Sequence, residues 1–340
     1  MKSVAAFGEL MVRLAPRGYL KLLQADSFDV NYTGAEANVC VSLSMLGMPN
    51  QFVTKLPDND ISAAARATLR KYGVGMDFVA TGGVRLGVYY LERGASQRPS
   101  KITYDRKYSA ISMAGREDFD WDAVFTEADW FHFTGITAAL SGGMPQICED
   151  ACMAAKRHGV TVSCDLNYRK ALWSKEEAQA CMTRLMPYID IVIGNEEDAS
   201  TTLGVTPSNT DVSAARLDYA AYSDVARQIC ERYGDKTVSF TLRTSRSASD
   251  NSWAGMLYAG GESYFSRQYD IHMVDRVGGG DSFSAGLIYA FKNGFEPQRA
   301  LEFAVAASCL KQTMEYDFNL STLSDILRLM SGDGSGRVQR

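Results

Sequence analysis

Short apolar runs alternate with amphipathic helical patterns along this chain, and that alternation restricts the folds available to it. The runs at residues 160–164, 189–193 and 238–242 consist mainly of β-branched and other apolar residues, as expected of strands buried on both faces. Segments with helical periodicity separate these runs. Strands that alternate with helices in this way predict a doubly wound α/β fold, with a mostly parallel sheet flanked by helices.

The N-terminal half follows the same pattern. Residues 4–14 predict a strand, and residues 35–46 predict a helix that ends at Gly47 and Pro49. Residues 174–177 form a capping box, which predicts the start of another helix. In doubly wound folds, ligands bind at the carboxyl ends of the strands. The loops that follow the three apolar runs are therefore candidate binding loops.

Two segments interrupt the alternation. Residues 15–33 are rich in glycine, proline and polar residues, and residues 84–110 predict a hairpin. These segments could form a small β lid over the carboxyl edge of the main sheet, although an edge hairpin without function would give the same pattern. Residues 204–223 predict a polar loop. The sequence thus predicts an α/β domain, a β lid and a flexible tail, comprising residues 1–14, 34–83 and 111–330, residues 15–33 and 84–110, and residues 331–340, respectively.

Composition excludes several classes of function. The net charge of −5 leaves no overall basic footprint for a nucleic-acid partner. No run approaches the roughly 18 apolar residues of a membrane span, and charges at Glu9 and Arg13 argue against a secretory signal. The 7 cysteines are scattered and odd in number, which is typical of reduced thiols in the cytoplasm rather than of a disulfide framework.

The strongest local motif is the stretch from Asp275 to Asp281, in which three glycines precede the final acid. Glycines expose backbone N–H groups and permit positive φ, and the periodic segment that follows predicts a helix whose N-terminus favours anions. The turn through Gly278, Gly279 and Gly280 can hold phosphate oxygens, while Asp281 can accept a proton from a hydroxyl. An ordinary tight turn with a capping aspartate would give the same pattern.

Three other polar segments lie where ligands could bind. Residues 165–169 follow a buried strand and suit an anionic ligand or a nucleotide, or form a helix-capping loop. Residues 195–198 follow the next strand and could hold water around a magnesium–phosphate complex, or Asn195 simply caps a helix over residues 196–203. Residues 33–38 combine a loop glycine with a helix N-terminus, as in a close approach to ligand or an ordinary turn.

In this order and spacing, these motifs resemble those of the ribokinase-like (PfkB-type) carbohydrate kinases, from about residue 3 to residue 325. The family signature Asp-Thr-x-Gly-Ala-Gly-Asp corresponds to residues 275–281, where Arg276 and Gly279 are departures. Neither departure removes the glycine turn or the final aspartate. The resemblance implies the ribokinase-like fold and a sugar kinase that uses ATP.

Two further parts of the family pattern differ here. The family motif Asn-x-x-Glu corresponds to residues 195–198 and ends in the shorter Asp198. The nucleotide loop Lys-x-Gly-x-x-Gly is missing, and residues 241–247 stand in its place. The resemblance implies that Asp198 holds Mg²⁺ through water. The residues that it implies for ATP are Asn167, Asn195, Arg243, Gly278 and Gly280.

The resemblance also implies the catalytic roles. Asp281 would accept the proton of the sugar hydroxyl, and the N–H groups of Gly278, Gly279 and Gly280 would stabilise the transferred phosphoryl group. ATP and Mg²⁺ are the implied cofactors, and a monovalent cation beside the glycine turn is compatible with the family.

Within the family, the closest likeness is to kinases of 2-keto-3-deoxygluconate, through residues 34–38, 104–107, 133–141 and 165–169. It implies phosphorylation of this sugar acid (2-dehydro-3-deoxy-D-gluconate) at its terminal 6-hydroxyl. Two arginines can supply the charge-assisted donors that a carboxylate needs. The residues expected to face the sugar acid are Gly34, Tyr89, Tyr104, Arg106, Ile136, Arg169 and Asp317.

Two alternatives remain open from the sequence. Another kinase of this fold, for fructose, ribose or a related sugar acid, would keep Asp281 and the glycines without needing paired arginines. A non-catalytic sugar-acid-binding regulator would have lost the base or the anion hole, and both are present. The expected partners are a small sugar acid and ATP, with neither nucleic acid nor membrane. The resemblance also implies a homo-oligomer, because family members often associate through their lids, and the cysteine usage predicts a cytoplasmic protein.

Overall fold

A computed structural model describes residues 2–208 and 219–332. Within these residues, strands alternate with helices through most of the chain, as the sequence predicts. The strands are β1 (Ser3–Phe7), β2 (Met11–Ala15), β3 (Asp29–Thr33), β4 (Asn50–Leu56), β5 (Val79–Thr81), β6 (Gly87–Glu92), β7 (Lys101–Asp105), β8 (Ala128–Thr134), β9 (Thr161–Asp165), β10 (Ile191–Gly194), β11 (Thr237–Ser245), β12 (Asp250–Ala259), β13 (Glu262–Phe265) and β14 (Tyr269–His272). The helices are α1 (Ala35–Met45), α2 (Asp60–Lys71), α3 (Trp121–Glu127), α4 (Gly135–Ala138), α5 (Met144–Arg157), α6 (Lys175–Leu185), α7 (Glu196–Leu203), α8 (Tyr219–Tyr233), α9 (Gly279–Lys292), α10 (Pro297–Lys311) and α11 (Leu323–Met330).

The main sheet has 10 strands, and its path runs β13-β12-β11-β10-β9-β8-β1-β4-β5, with β14 beside β12. The strands from β5 to β11 along this path are parallel, while β12 is antiparallel to its neighbours. Every residue of β1 and of β10 is buried, as expected when helices cover both faces of a parallel sheet. The predicted doubly wound α/β fold is confirmed.

Helices enclose this sheet on both faces. Phe125 of α3, Met182 of α6 and Val225 of α8 pack in the core on one face. Leu43 of α1 and Phe283 of α9 pack in the core on the other face. Burial of one such side chain contributes about 1.5–3 kcal/mol. The two layers therefore hold the strands in place and position the loops at the carboxyl edge of the sheet.

A separate sheet of 4 strands has the order β3-β2-β6-β7. β2 is antiparallel to β3 and parallel to β6, and β6 is antiparallel to β7. The predicted hairpin within residues 84–110 is confirmed as β6 and β7, with Tyr89 opposite Tyr104. Because β3 ends at Thr33, directly before α1, the small sheet lies next to the N-terminus of that helix.

The prediction of one strand over residues 4–14 is wrong. The structure has β1 in the main sheet and β2 in the small sheet, so the small sheet begins at Met11 rather than at residue 15. A Cβ at Gly8, between them, would lie 2.0 Å from Glu36 Oε2, so the backbone passes too close for a larger residue. Both strands are apolar and buried, and sequence periodicity alone does not separate them.

Several local predictions match the structure. Ser174 caps α6 in a capping box, and α7 spans residues 196–203. The predicted loop at 204–223 is shorter, since α8 begins at Tyr219, and its residues 209–218 lie outside the described part of the chain. The predicted tail lies outside it from residue 333 onward. All cysteines fall within the described residues, and none forms a disulfide. No helix in the described ranges is long and apolar enough to span a bilayer.

Candidate active site

The carboxyl ends of β9 and β10 lie beside the first turn of α9. The Tyr168 N–H donates to Asp198 Oδ1 at 3.0 Å, which joins the loop after β9 to α7. Asn38 Nδ2 donates to Asp281 Oδ2 at 2.6 Å, which joins α1 to α9. Burial, followed by the charges of Asp198 and Asp281, raises the pKa of Asp165 well above its usual range. The loops after β9 and β10 and the first turn of α9 thus converge around three carboxyl groups.

Asp281 lies in the first turn of α9 and is partly exposed. Burial raises the pKa of its carboxyl to about 7, and the charges of Glu36 and Asp317 act in the same direction. The hydrogen bond from Asn38 and the charge of Arg169 lower this pKa. A carboxyl that titrates near neutral pH can both accept and release a proton, which suits a general base.

Gly278 is the residue of the glycine turn that requires glycine. Its φ is +84°, and a Cβ there would lie 2.0 Å from the backbone oxygen of Asp317. Gly279 and Gly280 already belong to α9 and do not have positive φ. Of the three glycines, Gly278 alone uses the positive φ that glycine permits, and the helix begins immediately after it.

The N–H groups at the start of α9 form the anion-binding feature of the site. The N–H of Gly279 points to the Arg276 oxygen at 3.3 Å, which closes the turn. Among the described residues, the N–H groups of Gly278, Gly280 and Asp281 have no acceptor. Unpaired N–H groups at the N-terminus of a helix bind anions, because the helix dipole adds to their partial charge. The turn can therefore bind a phosphoryl group.

Asp165 and Asp198 form the acidic side of the site. Asp165 ends β9 and is buried, while burial raises the pKa of Asp198 to about 6. Asn195 Oδ1 accepts a hydrogen bond from the Asp198 N–H at 2.8 Å, so Asn195 caps α7. Helix capping was one of the two predictions for this segment. Asp165 has no predicted role of its own, although an acid at the last position of a buried strand is a usable sequence signal. In the part of the chain that the structure covers, no three metal-ligating side chains are close enough to hold an ion by themselves.

Four of the residues expected to face a sugar acid lie together beside the small sheet. The rings of Tyr89 and Tyr104 are 5.9 Å apart, and the Arg106 guanidinium lies 5.3 Å from the Tyr104 ring centre. Arg106 Nε donates to Glu9 Oε2 at 2.8 Å, and its Nη2 donates to the same oxygen. A Cβ at Gly34 would lie 1.9 Å from the Glu9 carbonyl oxygen. The sequence predicts that Arg106 contacts the carboxylate of a sugar acid, and the structure shows in addition that Glu9 pairs with its guanidinium.

Glu9 also presents an acceptor to this space. Its Oε1 is buried and has no hydrogen bond within the described residues. A buried carboxylate oxygen without a donor is unfavourable, so a hydroxyl group of a bound ligand would stabilise it.

Ile136 and Arg169 border the site from other elements. Ile136 lies in α4, whose start is held by Glu36 Oε1, which accepts from the Thr134 N–H at 3.0 Å and from Thr137 Oγ1 at 2.6 Å. Arg169 is exposed, and its Nη1 donates only to the adjacent Tyr168 oxygen. Its guanidinium therefore retains free donors for an anionic ligand.

The carboxylate of Asp317 is bound by side chains of the protein. Its Oδ1 accepts from Arg13, and its Oδ2 lies 2.9 Å from Thr33 Oγ1 and 2.5 Å from the Tyr89 hydroxyl. The residue is 3 % exposed. Both oxygens are thus bound to protein donors beneath the site. The Tyr89 hydroxyl and the Asp317 carboxylate bind each other, and the contact expected between these two residues and a sugar acid stays a prediction.

The oxygens of Asp275, which opens the glycine motif, are also occupied. Its Oδ2 accepts from Arg13 Nη2 at 2.5 Å, and its Oδ1 accepts from the Val277 N–H at 3.1 Å. Lys311 Nζ is fully buried and donates to the Asp275 carbonyl oxygen at 3.0 Å. Two cationic side chains of the protein, those of Arg13 and Lys311, therefore hold Asp275 in place at the start of the motif. A monovalent cation beside the glycine turn stays a prediction.

Arg243 and Arg276 border the glycine turn on the side of β11. Neither makes an ion pair within the described ranges. Burial, and then the like charge of Arg243, lowers the pKa of Arg276. Two arginines that repel each other favour a polyanion, which would neutralise both. Asn167, at φ +34°, donates its N–H to Asp165 Oδ1 at 3.2 Å and so lies on the acidic side of the same space.

Comparison with known proteins gives a consistent result. Residues 1–317 match the model of the pfkB family carbohydrate kinases. The chain is 29% identical to a 2-dehydro-3-deoxygalactonokinase of Haloferax volcanii, over 98% of this chain and 98% of that protein. It is 28% identical to a 2-dehydro-3-deoxygluconokinase of Thermoproteus tenax, over 91% of this chain and 88% of that protein.

Solved structures include a nearer relative. The 2-dehydro-3-deoxygluconokinase of Thermotoga maritima is 50% identical and has a TM-score of 0.93, covering 97% of this chain and 98% of that one. The fructokinase of Xylella fastidiosa with bound ATP is 21% identical, with a TM-score of 0.75, covering 98% of this chain and 99% of that one. At that identity, the likeness to the fructokinase concerns the fold alone.

Proposed function

The chain belongs to the pfkB family of carbohydrate kinases, and we propose that it phosphorylates 2-keto-3-deoxygluconate with ATP at the terminal 6-hydroxyl. The observation that carries this proposal is the 50% identity, over nearly the whole chain, to the 2-dehydro-3-deoxygluconokinase of Thermotoga maritima. The geometry around α9 supports the chemistry, since a carboxyl with a pKa near neutrality follows directly on an anion-binding turn.

In the proposed reaction, Asp281 Oδ1 accepts the proton of the 6-hydroxyl group. The hydroxyl oxygen of the sugar acid forms a bond to the γ-phosphorus of ATP at the same time. The bond from the γ-phosphorus to its bridging oxygen breaks, and ADP leaves. The unpaired N–H groups of Gly278, Gly280 and Asp281 stabilise the charge on the transferring phosphoryl group, with Gly279 closing the turn. The protein contributes mainly position and electrostatics, as is usual for phosphoryl transfer.

For the nucleotide, we propose that Arg243 and Arg276 contact the ATP phosphates from the β11 side. Asn167 and Asn195 border the nucleotide from the loops after β9 and β10. Asp198, together with Asp165, fits a Mg²⁺ ion held through water, because carboxylates are the ligands that this ion prefers and a cation would offset their mutual repulsion. When bound, Mg²⁺ neutralises charge on the phosphates of ATP.

For the sugar acid, we propose that Arg169 binds the carboxylate with its free donors. Arg106 is held by Glu9 and keeps Nη1 for the ligand, while Glu9 Oε1 accepts from a sugar hydroxyl. Gly34, Tyr104 and Ile136 complete the lining. Tyr89 and Asp317 act from below by holding the small sheet in place. Closure of this sheet over the sugar would exclude water and so reduce hydrolysis of ATP.

We also propose that the small sheet mediates self-association. Leu23, Val30 and Tyr108 are exposed large apolar side chains in or beside it, and such patches mark interaction surfaces. Light scattering coupled to size exclusion would report the mass. A monomer at all concentrations would contradict this proposal.

An assay of ADP release across sugars and sugar acids tests the function. We expect kcat/KM for 2-keto-3-deoxygluconate to exceed that for fructose and ribose by roughly tenfold to a hundredfold or more, because an unpaired Arg169 in the closed site penalises a neutral sugar. Arg169→Leu should raise KM for the sugar acid and reduce the difference in kcat/KM between the sugar acid and the neutral sugars. Equal turnover of fructose by the wild type would disprove the choice of substrate.

The 4-epimer, 2-keto-3-deoxygalactonate, is a second candidate, because the Haloferax volcanii relative is a kinase of that sugar acid. Both epimers carry the same carboxylate, so Arg169 does not distinguish them. The ratio of kcat/KM for the two epimers in the same assay decides between them.

A further inference from the structure

Asn38 bridges the proposed base and the small sheet. It lies near the start of α1 and is 3 % exposed. Its Nδ2 donates to Asp281 Oδ2 at 2.6 Å, and its Oδ1 accepts from Thr33 Oγ1 at 2.7 Å. An ionised carboxylate can only accept hydrogen bonds, so the amide nitrogen must face Asp281 and the amide oxygen must face Thr33. The two neighbours therefore determine the orientation of this amide.

We propose that Asn38 is the positioning residue for the base: it holds Asp281 Oδ2 and leaves Oδ1 to face the sugar hydroxyl. Thr33, the last residue of β3, holds Asn38 in turn. The inference rests on the proposed function, in which Asp281 is the base. Asp281 Oδ1 has no hydrogen bond to any described residue, so it is the oxygen left for the substrate.

The surroundings of Thr33 extend into the small sheet. Its single hydroxyl proton goes to one acceptor at a time, either Asn38 Oδ1 at 2.7 Å or Asp317 Oδ2 at 2.9 Å. The Asp317 carboxylate is bound in addition by the Tyr89 hydroxyl of β6 and by Arg13 of β2. Three strands of the small sheet thus contribute side chains to a network that ends at the base. A displacement of this sheet would weaken the hydrogen bond that holds the Asn38 amide. The position of the small sheet therefore affects the orientation of Asp281, although the sheet does not contact Asp281 directly.

The electrostatics explain why a neutral donor is needed at this position. The charged groups that face Asp281 are Glu36 of α1, Asp165 of β9, Asp317 after α10, Arg169 after β9 and Lys311 of α10. Burial and the carboxylates raise the pKa of Asp281, while the Asn38 hydrogen bond and Arg169 lower it. Removal of the Asn38 donor should therefore raise this pKa further and leave less of the ionised base at neutral pH.

A purely structural role for Asn38, as a link between α1 and α9, makes a different prediction. Loss of such a link would lower the melting temperature and would not move the pH dependence of catalysis. The acid limb of the kcat/KM profile separates the two roles, because it reports the pKa of the base in the free enzyme.

The test uses the full chain, the sugar-acid substrate and three variants: Asn38→Leu, Thr33→Val and Ser42→Ala. Asn38→Leu should lower kcat roughly tenfold to a hundredfold, change the sugar KM by less than about threefold, and move the acid limb up by about one pH unit. Thr33→Val should act in the same direction with smaller effects. Ser42→Ala is the matched control, since Ser42 Oγ donates to the Asn38 backbone oxygen at 2.8 Å and does not contact Asp281.

A normal kcat and an unmoved acid limb in Asn38→Leu would overturn the inference. If that variant does not fold, the nearly isosteric Asn38→Asp replaces it. Two facing carboxylates should then move the acid limb upward even more, and an unmoved limb there or in Thr33→Val would equally overturn it. Wild type that phosphorylates no sugar or sugar acid would refute the proposed function instead. Active wild type, inactive Asp281→Asn and normal Asn38 variants would refute this inference alone.

Discussion

Asp281 is held in surroundings that oppose its charge. Burial raises the pKa of its carboxyl to about 7, whereas an aspartate in an unfolded chain has a pKa of about 3.9. Between these two pH values the folded protein retains a proton that the unfolded chain has released. Stability therefore falls as the pH rises through this window, and the unfavourable contribution is fully present above about pH 7.

Asp281→Asn should separate catalysis from stability. Turnover should fall by at least about a hundredfold, because the amide cannot accept the hydroxyl proton. The melting temperature should rise above that of wild type at pH 8, and the difference should disappear toward pH 4. Thermal melts and ADP release on the same preparations measure both effects. Near-normal turnover, or a melting temperature that falls at pH 8, would contradict the place assigned to Asp281.

Arg106 and Glu9 form an ion pair whose side chains are only 10% and 3% exposed. Arg106→Leu would leave the buried Glu9 carboxylate without a cation, which should cost about 3–5 kcal/mol of unfolding free energy. Arg85→Leu, just before β6, is the control, because its partner Asp105 is 56% exposed and such pairs contribute about 1 kcal/mol or less. Urea unfolding measures the unfolding free energy of both variants. Equal losses of unfolding free energy would argue against a structural role for the pair of Arg106 and Glu9.

At the scale of elements, two glycines at the start of α9 differ in their surroundings: Gly278 lies against the backbone, and Gly280 faces open space. Gly278→Ala should destabilise the fold by about 1–3 kcal/mol, since φ is +84° and the new Cβ would lie 2.0 Å from the Asp317 oxygen. A Cβ at Gly280 meets no atom within 4 Å, so Gly280→Ala should keep or raise the melting temperature. Its turnover should nevertheless fall, because the methyl group would stand beside the unpaired N–H groups.

Thermal melts and kcat of the two glycine variants check this prediction. Equal losses of stability in both would mean that the turn has no separate structural and anion-binding positions.

At the scale of the whole molecule, the two proposed ligand sites lie at one sheet edge, and each ligand should stabilise the fold independently. A non-hydrolysable ATP analogue with Mg²⁺, at a hundred times its Kd, should add about 2.7 kcal/mol to the unfolding free energy. The sugar acid should add a further amount. In Arg169→Leu, measured at the same ligand concentrations, the contribution of the sugar acid should shrink while that of the nucleotide persists.

Differential scanning fluorimetry with each ligand alone and with both measures this prediction. Loss of the nucleotide contribution in Arg169→Leu would place that arginine on the phosphates rather than on the sugar carboxylate.

Local sequence patterns were sufficient for much of the architecture. The apolar runs predicted β9, β10 and β11, and the box at Ser174 predicted the start of α6. These features depend on residues near one another in the chain, whose backbone preferences and burial follow from local composition. The break between β1 and β2 was missed, because both strands are apolar and differ only in the sheet that they join.

The sequence by itself determined the α/β fold, the glycine turn with its helix and the presence of Asp281 at the start of α9. Only the tertiary structure decided which charged groups are free. Arg106 pairs with Glu9, and Asp317 is held by Arg13. An arginine has the same local sequence pattern whether its partner is solvent, ligand or a distant carboxylate. The partner is chosen by the packing of segments far apart in the chain, and that packing left Arg169 open to a ligand and gave Asp281 its support from Asn38.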